Sequence, residues 1–253
     1  MISIGIGLAT TSASGSALDS ATRSFVAASG ATQTGAIDAW VRGLKTLGLW
    51  SNILTYPMRS GQNSSGTTVY SLGGLSTTNA AHSGTISVTA AGRVPATTSD
   101  VVNTTLLPSG TNGALVCVLD LVAIGSEAQR ILTYDQPATT NGLGLDKAHA
   151  TGFRRLGSSF TQGLGTQTTD PTMIAVGGGT STFFAQDAAY TSAASVSLTA
   201  STAPLGILGR GVQGSVPATY AMSIYYAGAL TSANYLALRS LYKNTLGAGF
   251  GLP

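Results

Sequence analysis

The sequence predicts a mainly β protein, an antiparallel jelly roll or β-sandwich with an N-terminal helical hairpin and a short C-terminal helix. Three observations carry that prediction. From about Asn52 to Gly228, short strand-like runs recur at intervals of roughly 8 to 15 residues, separated by clusters of Gly, Asn, Asp, Ser and Pro. Helical spacing of apolar residues is confined to the two ends of the chain. Only 8% of the 253 residues are charged, and small residues, among them 33 glycines, take their place. Such residues suit pleated strands and tight turns.

The opening "MISIGIGLATTSASGSA", residues 1–17, alternates Ile2, Ile4 and Ile6 with small residues and is either an extended arm or a first strand. An unpaired strand without charge is a sticky edge. As an arm it is expected to lie against a neighbouring subunit, adding a strand to that subunit's sheet. Residues 18–50 read as the helical hairpin. Its first helix places Leu18, Ala21 and Phe25 inward and ends near Gly30. In the second, Ile37, Trp40, Val41, Leu44 and Leu47 recur at threes and fours behind Thr34 as N-cap. Residues 51–253 read as the jelly roll.

Its candidate strands are "TTVYSL", "GTISVTAAGRV", "GALVCVLDLVAI", "QRILTYD", "ATGFRRLG", "PTMIAVGG", "STFFAQD", "ASVSLTAS", "PLGILGRG" and "TYAMSIYYAGAL". The last feeds a closing helix, 231–247. There Thr231 or Ser232 is the N-cap, Leu238, Leu241, Tyr242 and Thr245 share the inward face, and Gly247 is the stop.

Charge excludes some partners. The 12 basic residues are scattered, with Arg154-Arg155 the one adjacent pair, so the net charge of +3 makes no phosphate-binding stripe and no nucleic-acid partner is expected. No apolar run reaches the roughly 18 residues of a membrane span. The first residues lack the basic leader and long apolar core of a signal peptide. The sequence thus predicts a soluble protein made in a reducing compartment. A surface so low in charge favours self-association.

Catalytic and metal-binding candidates are sparse. The nine acids stand apart, and Glu127, the only glutamate, lies at a loop edge in "AIGSEAQR" where a solvated turn residue is the plainer reading. His82 in "TTNAAHSGT" and His149 in "LDKAHATG" read as loop residues with no nucleophile turn nearby. Cys117 sits among alternating apolar residues, which makes it a buried thiol rather than a nucleophile. Asp135, Asn141 and Asp146 form the best oxygen cluster in what reads as one long loop, yet lack the dense pattern of a strong calcium site. "GIGLAT" (5–10) and "VGGGTS" (176–181) are followed by no helix and read as turns, not phosphate cradles. Tyr220, Tyr225, Tyr226, Tyr235 and Tyr242 either stack on sugars or pack the core, with packing favoured where a helix docks. The expectation is therefore no catalytic residue, no cofactor and no metal, and a protein that is not an enzyme.

Two stretches resemble a known group. The order of a core strand, a small apolar turn and a capped helix ending in Gly, residues 220–247, resembles the end of concanavalin-A-like (laminin-G-like) jelly rolls found in phage structural proteins. The segment 25–58 resembles the opening of bacteriophage virion proteins through Phe25, Ala27, Ala28, Gly30, Ala36, Ile37, Leu44, Lys45, Trp50, Tyr56 and Pro57. The middle of the chain carries no matching motif. The resemblance implies a structural component of a virion (head decoration, fibre or tail-accessory protein), made in the bacterial host's cytoplasm. Its expected partners are capsid or tail subunits and its own copies, most simply as a homotrimer. The competing reading is a carbohydrate-binding module for a host-surface glycan. A third, a polysaccharide depolymerase, suffers from the lack of acids.

Overall fold

A computed structural model describes residues 17–97, 99–108, 113–121, 129–134, 143–148, 152–157, 160–164, 171–177, 182–185, 188–191, 204–209 and 218–253. The arm through residue 16 and the run "ASVSLTAS" lie outside them. Within them the chain is an antiparallel sandwich of two eight-stranded sheets with three α-helices laid on one outer face. Strands and helices are numbered in chain order.

The first sheet runs β14 (Ala188–Thr191), β13 (Thr182–Ala185), β12 (Thr172–Gly177), β7 (Ala114–Leu121), β16 (Ala218–Tyr226), β5 (Arg93–Pro95) and β4 (Ile86–Val88). Its eighth member, β1 (Ile53–Pro57), also pairs with β16. The second runs β11 (Phe160–Leu164), β10 (Gly152–Gly157), β9 (Leu143–Ala148), β8 (Gln129–Tyr134), β15 (Gly206–Leu208), β6 (Val101–Thr104), β3 (Ala80–Ser83) and β2 (Thr68–Val69).

β16 is the hub of the first sheet. One edge pairs with β7 along its whole length, from Ala218↔Leu121 to Tyr226↔Ala114. The other pairs with β5 at Tyr220↔Arg93 and with β1 from Met222↔Pro57 to Tyr226↔Ile53. Strand alternation sends successive side chains to opposite faces. Leu115, Cys117 and Leu119 therefore enter the core between the sheets with Val102, Ile207 and Tyr220. Val116 and Val118 point the other way, into a second core under the helices with Trp40, Met173 and Tyr242. A strand covered on both faces reads as a continuous apolar run, which explains "ALVCVL".

The helical layer follows from its apolar stripes. α1 (Ser20–Ser29) is capped by the Asp19 carboxylate, which accepts from Ala21 N at 2.9 Å, and ends at Gly30 in the left-handed conformation (φ 70°). α2 (Thr34–Thr46) buries Ile37, Trp40, Val41 and Leu44. Its N-cap is Gln33 rather than Thr34, and Leu47 lies beyond its end, exposed. The backbone N–H groups of Thr32 and Gln33 both donate to Gly61 O, so the entry to α2 is held by the chain rather than by a side-chain cap.

α3 (Ser232–Asn244) is capped by Thr231, whose hydroxyl accepts from Asn234 N at 3.1 Å. Tyr235, Leu238 and Tyr242 are buried under it, while Leu241 is half-buried and fits over Gly43 of α2, where a Cβ would meet it at 2.3 Å. The helix stops at Asn244, and the following turn brings Gly247 so close to the Tyr242 ring that a Cβ would lie 2.4 Å from it. The tail is then tied back, with Arg59 donating to Leu246 O and Ala248 O and Gln62 donating to Leu246 O.

Candidate functional site

The segment from Tyr70 to Asn79 passes in front of α1 and the 3-10 turn Trp50–Asn52 and leaves an open cleft of about 270 Å³. Its course is set by two glycines. A Cβ on Gly73 would lie 2.1 Å from Ile53 O, and one on Gly74 would lie 2.6 Å from Cδ1 and Nε1 of Trp50. Backbone bonds between Thr55 and Leu72, at 2.9 and 2.8 Å, fasten the segment to β1, and Gly74 N donates to Trp50 O.

Side chains hold the ends of the segment. Buried Asn63 donates through Nδ2 to Pro57 O and Tyr70 O, and accepts through Oδ1 from Tyr70 N and Ser64 N. Asn79 Oδ1 accepts from Ser71 N at 3.0 Å. The Tyr56 hydroxyl donates to Thr78 O at 2.7 Å, and burial pushes its acidity down so that it stays a donor.

The cleft has an apolar floor from α1 and the segment, chiefly Phe25, Ala28 and Leu72, with half-buried Trp50 and Tyr70 beside it and Ser76, Thr77 and Asn79 at the rim. Its lining carries no ionisable acid or base other than the phenol of Tyr70. The Lys45 ammonium sits 5.2 Å from the centroid of Trp50, within cation–π range. It is already engaged by both oxygens of Asp19 at 2.8 Å, and that hydrogen bond in turn holds the Asp19 carboxyl below its usual range. An apolar cleft with aromatic side chains and a few hydroxyl and amide groups is a small-molecule site in form.

A second polar cluster lies across the two sheets. Arg93 on β5 is fully buried, with Nη2 donating to Ser64 O (2.7 Å) and Gly66 O (3.1 Å) and Nη1 donating to His82 Nδ1 (3.0 Å) on β3. No carboxylate pairs with it among the described residues, and burial lowers its pKa to about 10. His82 is thus on a strand, not in the loop that its polar neighbours suggested. Its pKa is depressed first by burial and then by Arg93, with Asp100 pulling weakly the other way.

That depression has a pH signature. A group whose folded pKa is lowered supports the fold above its unfolded value, about 6.5 for His, and withdraws that support as pH falls. Stability is expected to decline from about pH 6.5 downward. A His82→Gln variant, whose amide oxygen still accepts from Arg93, should show a flatter profile in urea titrations between about pH 7 and 5.

The other sequence candidates disperse. Cys117 is buried, its Sγ 4.0 Å from Ser223 Oγ, and burial pushes the thiol up, away from nucleophilic use. Glu127, Asp135, Asn141 and His149 lie outside the described residues, as do 5–10 and 178–181. Asp146 is placed on strand β9, opposite Arg130 and Arg154, not in a long loop. Among the described residues no three of His, Cys, Asp and Glu come together. No described helix is long and apolar enough to cross a membrane. Tyr220, Tyr225, Tyr226, Tyr235 and Tyr242 are all buried, hence packing residues rather than sugar platforms. The cleft's own aromatics, Trp50 and Tyr70, escaped sequence reasoning. The signal that was available is the Gly73-Gly74 pair beside Tyr70.

The fold has solved counterparts. Trypanosoma rangeli sialidase in complex with sialic acid superposes with a TM-score of 0.58 at 12% identity, over 84% of this chain and 39% of that one. The same enzyme with 2,3-difluorosialic acid, a covalent intermediate, gives 0.62 at 10% identity, over 85% and 39%. Botulinum neurotoxin type C, whose cell entry depends on two ganglioside molecules, gives 0.54 at 8% identity, over 78% and 53%. The chain spans about two-fifths of the length of the sialidase chains. No protein-family model matches it, and no curated protein matches it in sequence.

At such identities the likeness is one of fold. It corrects one expectation all the same. The shortage of acids does not exclude an enzyme, contrary to the expectation above, because sialidase chains contain this fold. None of the structures named above is a bacteriophage protein.

Proposed function

We propose that this chain is a carbohydrate-binding module that holds a sugar in the cleft between α1 and residues 70–79. The observation that carries the reading is the pairing of Trp50 and Tyr70 with Ser76, Thr77 and Asn79 around an apolar floor. A sugar ring has one C–H-rich face, which packs on an aromatic ring, and an edge of hydroxyls, which needs donors and acceptors. The fold supports the reading, since counterparts of the same architecture include a sialidase holding sialic acid and a neurotoxin that uses gangliosides.

The test is binding to immobilised glycans. Trp50→Ala is expected to weaken binding at least tenfold, equivalent to about 1.4 kcal/mol. Gly74→Ala is expected to do the same by displacing Trp50, with the far-ultraviolet spectrum of both variants unchanged. Binding that survives both substitutions, or no binding to any glycan, would count against the cleft.

One observation favours a setting for this module. Phe25, Ala28 and Trp50, which carry the resemblance of residues 25–58 to bacteriophage virion proteins, also line the cleft. The proposal therefore extends to host-surface attachment by a virion protein, self-associated as a trimer and anchored by the arm at residues 1–17. Deleting residues 1–15 should then abolish incorporation into particles. Incorporation of the truncated chain would sink this extension and leave the glycan reading in place.

A further inference from the structure

We infer that the cleft takes a single uncharged, N-acetylated sugar ring and discriminates against acidic sugars; the inference rests on the carbohydrate-binding reading above. Charge is the first ground. A sugar carboxylate is recognised through charge-assisted bonds, above all from the planar fork of an arginine. The cleft's lining holds no Arg or Lys. Lys45, whose ammonium lies over the Trp50 ring, is neutralised by Asp19. Arg93, fully buried between the sheets, is turned to Ser64 O, Gly66 O and His82 instead. An anionic sugar would thus lose its hydration with nothing to replace it.

Donor geometry is the second ground. Because Asn79 Oδ1 accepts from a backbone N–H, the orientation of its amide is fixed, and its Nδ2 is left without a protein partner among the described residues. A free amide donor at the rim calls for a neutral acceptor such as an acetamide carbonyl oxygen. The floor of Phe25, Ala28 and Leu72 is a matching surface for the acetamide methyl. Size is the third ground. About 270 Å³ falls just under the range of roughly 300–1,000 Å³ for pockets that enclose drug-sized ligands, which suits one ring.

The test titrates the full chain with three probes, the methyl glycosides of N-acetylglucosamine, glucose and N-acetylneuraminic acid, by isothermal calorimetry. The N-acetylglucosaminide is expected to bind at least tenfold tighter than the other two. Asn79→Asp, which keeps the bond to Ser71 N but loses the donor, should weaken it roughly tenfold, and Trp50→Ala should abolish it. Equal or tighter binding of the N-acetylneuraminic acid glycoside, or of the glucoside, overturns the inference while leaving the carbohydrate reading intact. N-acetylglucosaminide binding that Trp50→Ala does not disturb also overturns it. Failure of all three probes, together with silence on immobilised glycans, removes both.

Discussion

Trp40→Ala is expected to destabilise the protein by about 3–5 kcal/mol, the range for emptying a buried aromatic site. Trp40 has no exposed surface and sits where α2 meets the first sheet and α3. It meets Tyr242 edge to face, with ring centroids 6.4 Å apart and planes at 90°. Alanine would remove that contact and open a hole among residues of three elements, which cannot collapse without moving a helix. Trp40→Phe is the control. The indole Nε1 has no hydrogen-bond partner among the described residues, so phenylalanine loses volume without stranding an acceptor, and a loss of about 1.5 kcal/mol or less is expected. Urea midpoints at constant slope would measure both. An alanine variant within 1 kcal/mol of the parent would mean that the helical layer is not packed on the sheet as described.

Arg93→Ala is expected to destabilise to a similar degree, about 3–5 kcal/mol, through a different mechanism. Its guanidinium donates to two carbonyls and a histidine from β5 into β3 and the 64–66 turn. Removal takes the donor from those partly buried acceptors and leaves a cavity as well. Arg93→Met separates the two effects. It fills most of the volume and removes a buried charge, so a smaller loss of about 1–3 kcal/mol is expected from the orphaned carbonyls alone. A methionine variant as stable as the parent would show that the charge contributes no net stability, a known outcome for buried ions. Arg93→Lys should not rescue, since one ammonium cannot span three acceptors.

The contrast between these residues shows what was legible beforehand. Trp40 announced itself, because helical spacing with Ile37 and Leu44 puts it on an apolar stripe that must be covered. The C-terminal tyrosines and Cys117 were legible for the same reason. Arg93 gave no such sign. A buried cation disturbs neither period nor propensity, and its partners at Ser64, Gly66 and His82 are remote enough that only the sheet register brings them together. His82 was misplaced because "AAHS" is too short and too polar to alternate visibly, although it pairs with β6 in full register. Strands β1, β9 and β11 were missed through brevity or glycine content in the same way. The cleft was illegible because it exists only where α1, Trp50 and residues 70–79 converge, and convergence is a tertiary fact.

The position of β16 bears on how the molecule is made. Translation delivers β1 before β7, and the strand that both of them border emerges about a hundred residues after β7. Until then each carries an open row of backbone donors and acceptors, in a topology dominated by distant pairings that fold slowly. The first sheet therefore closes only after β16 has left the ribosome, and the nascent chain must be kept from pairing with its neighbours on the polysome in the meantime. Its opening strand waits for its last.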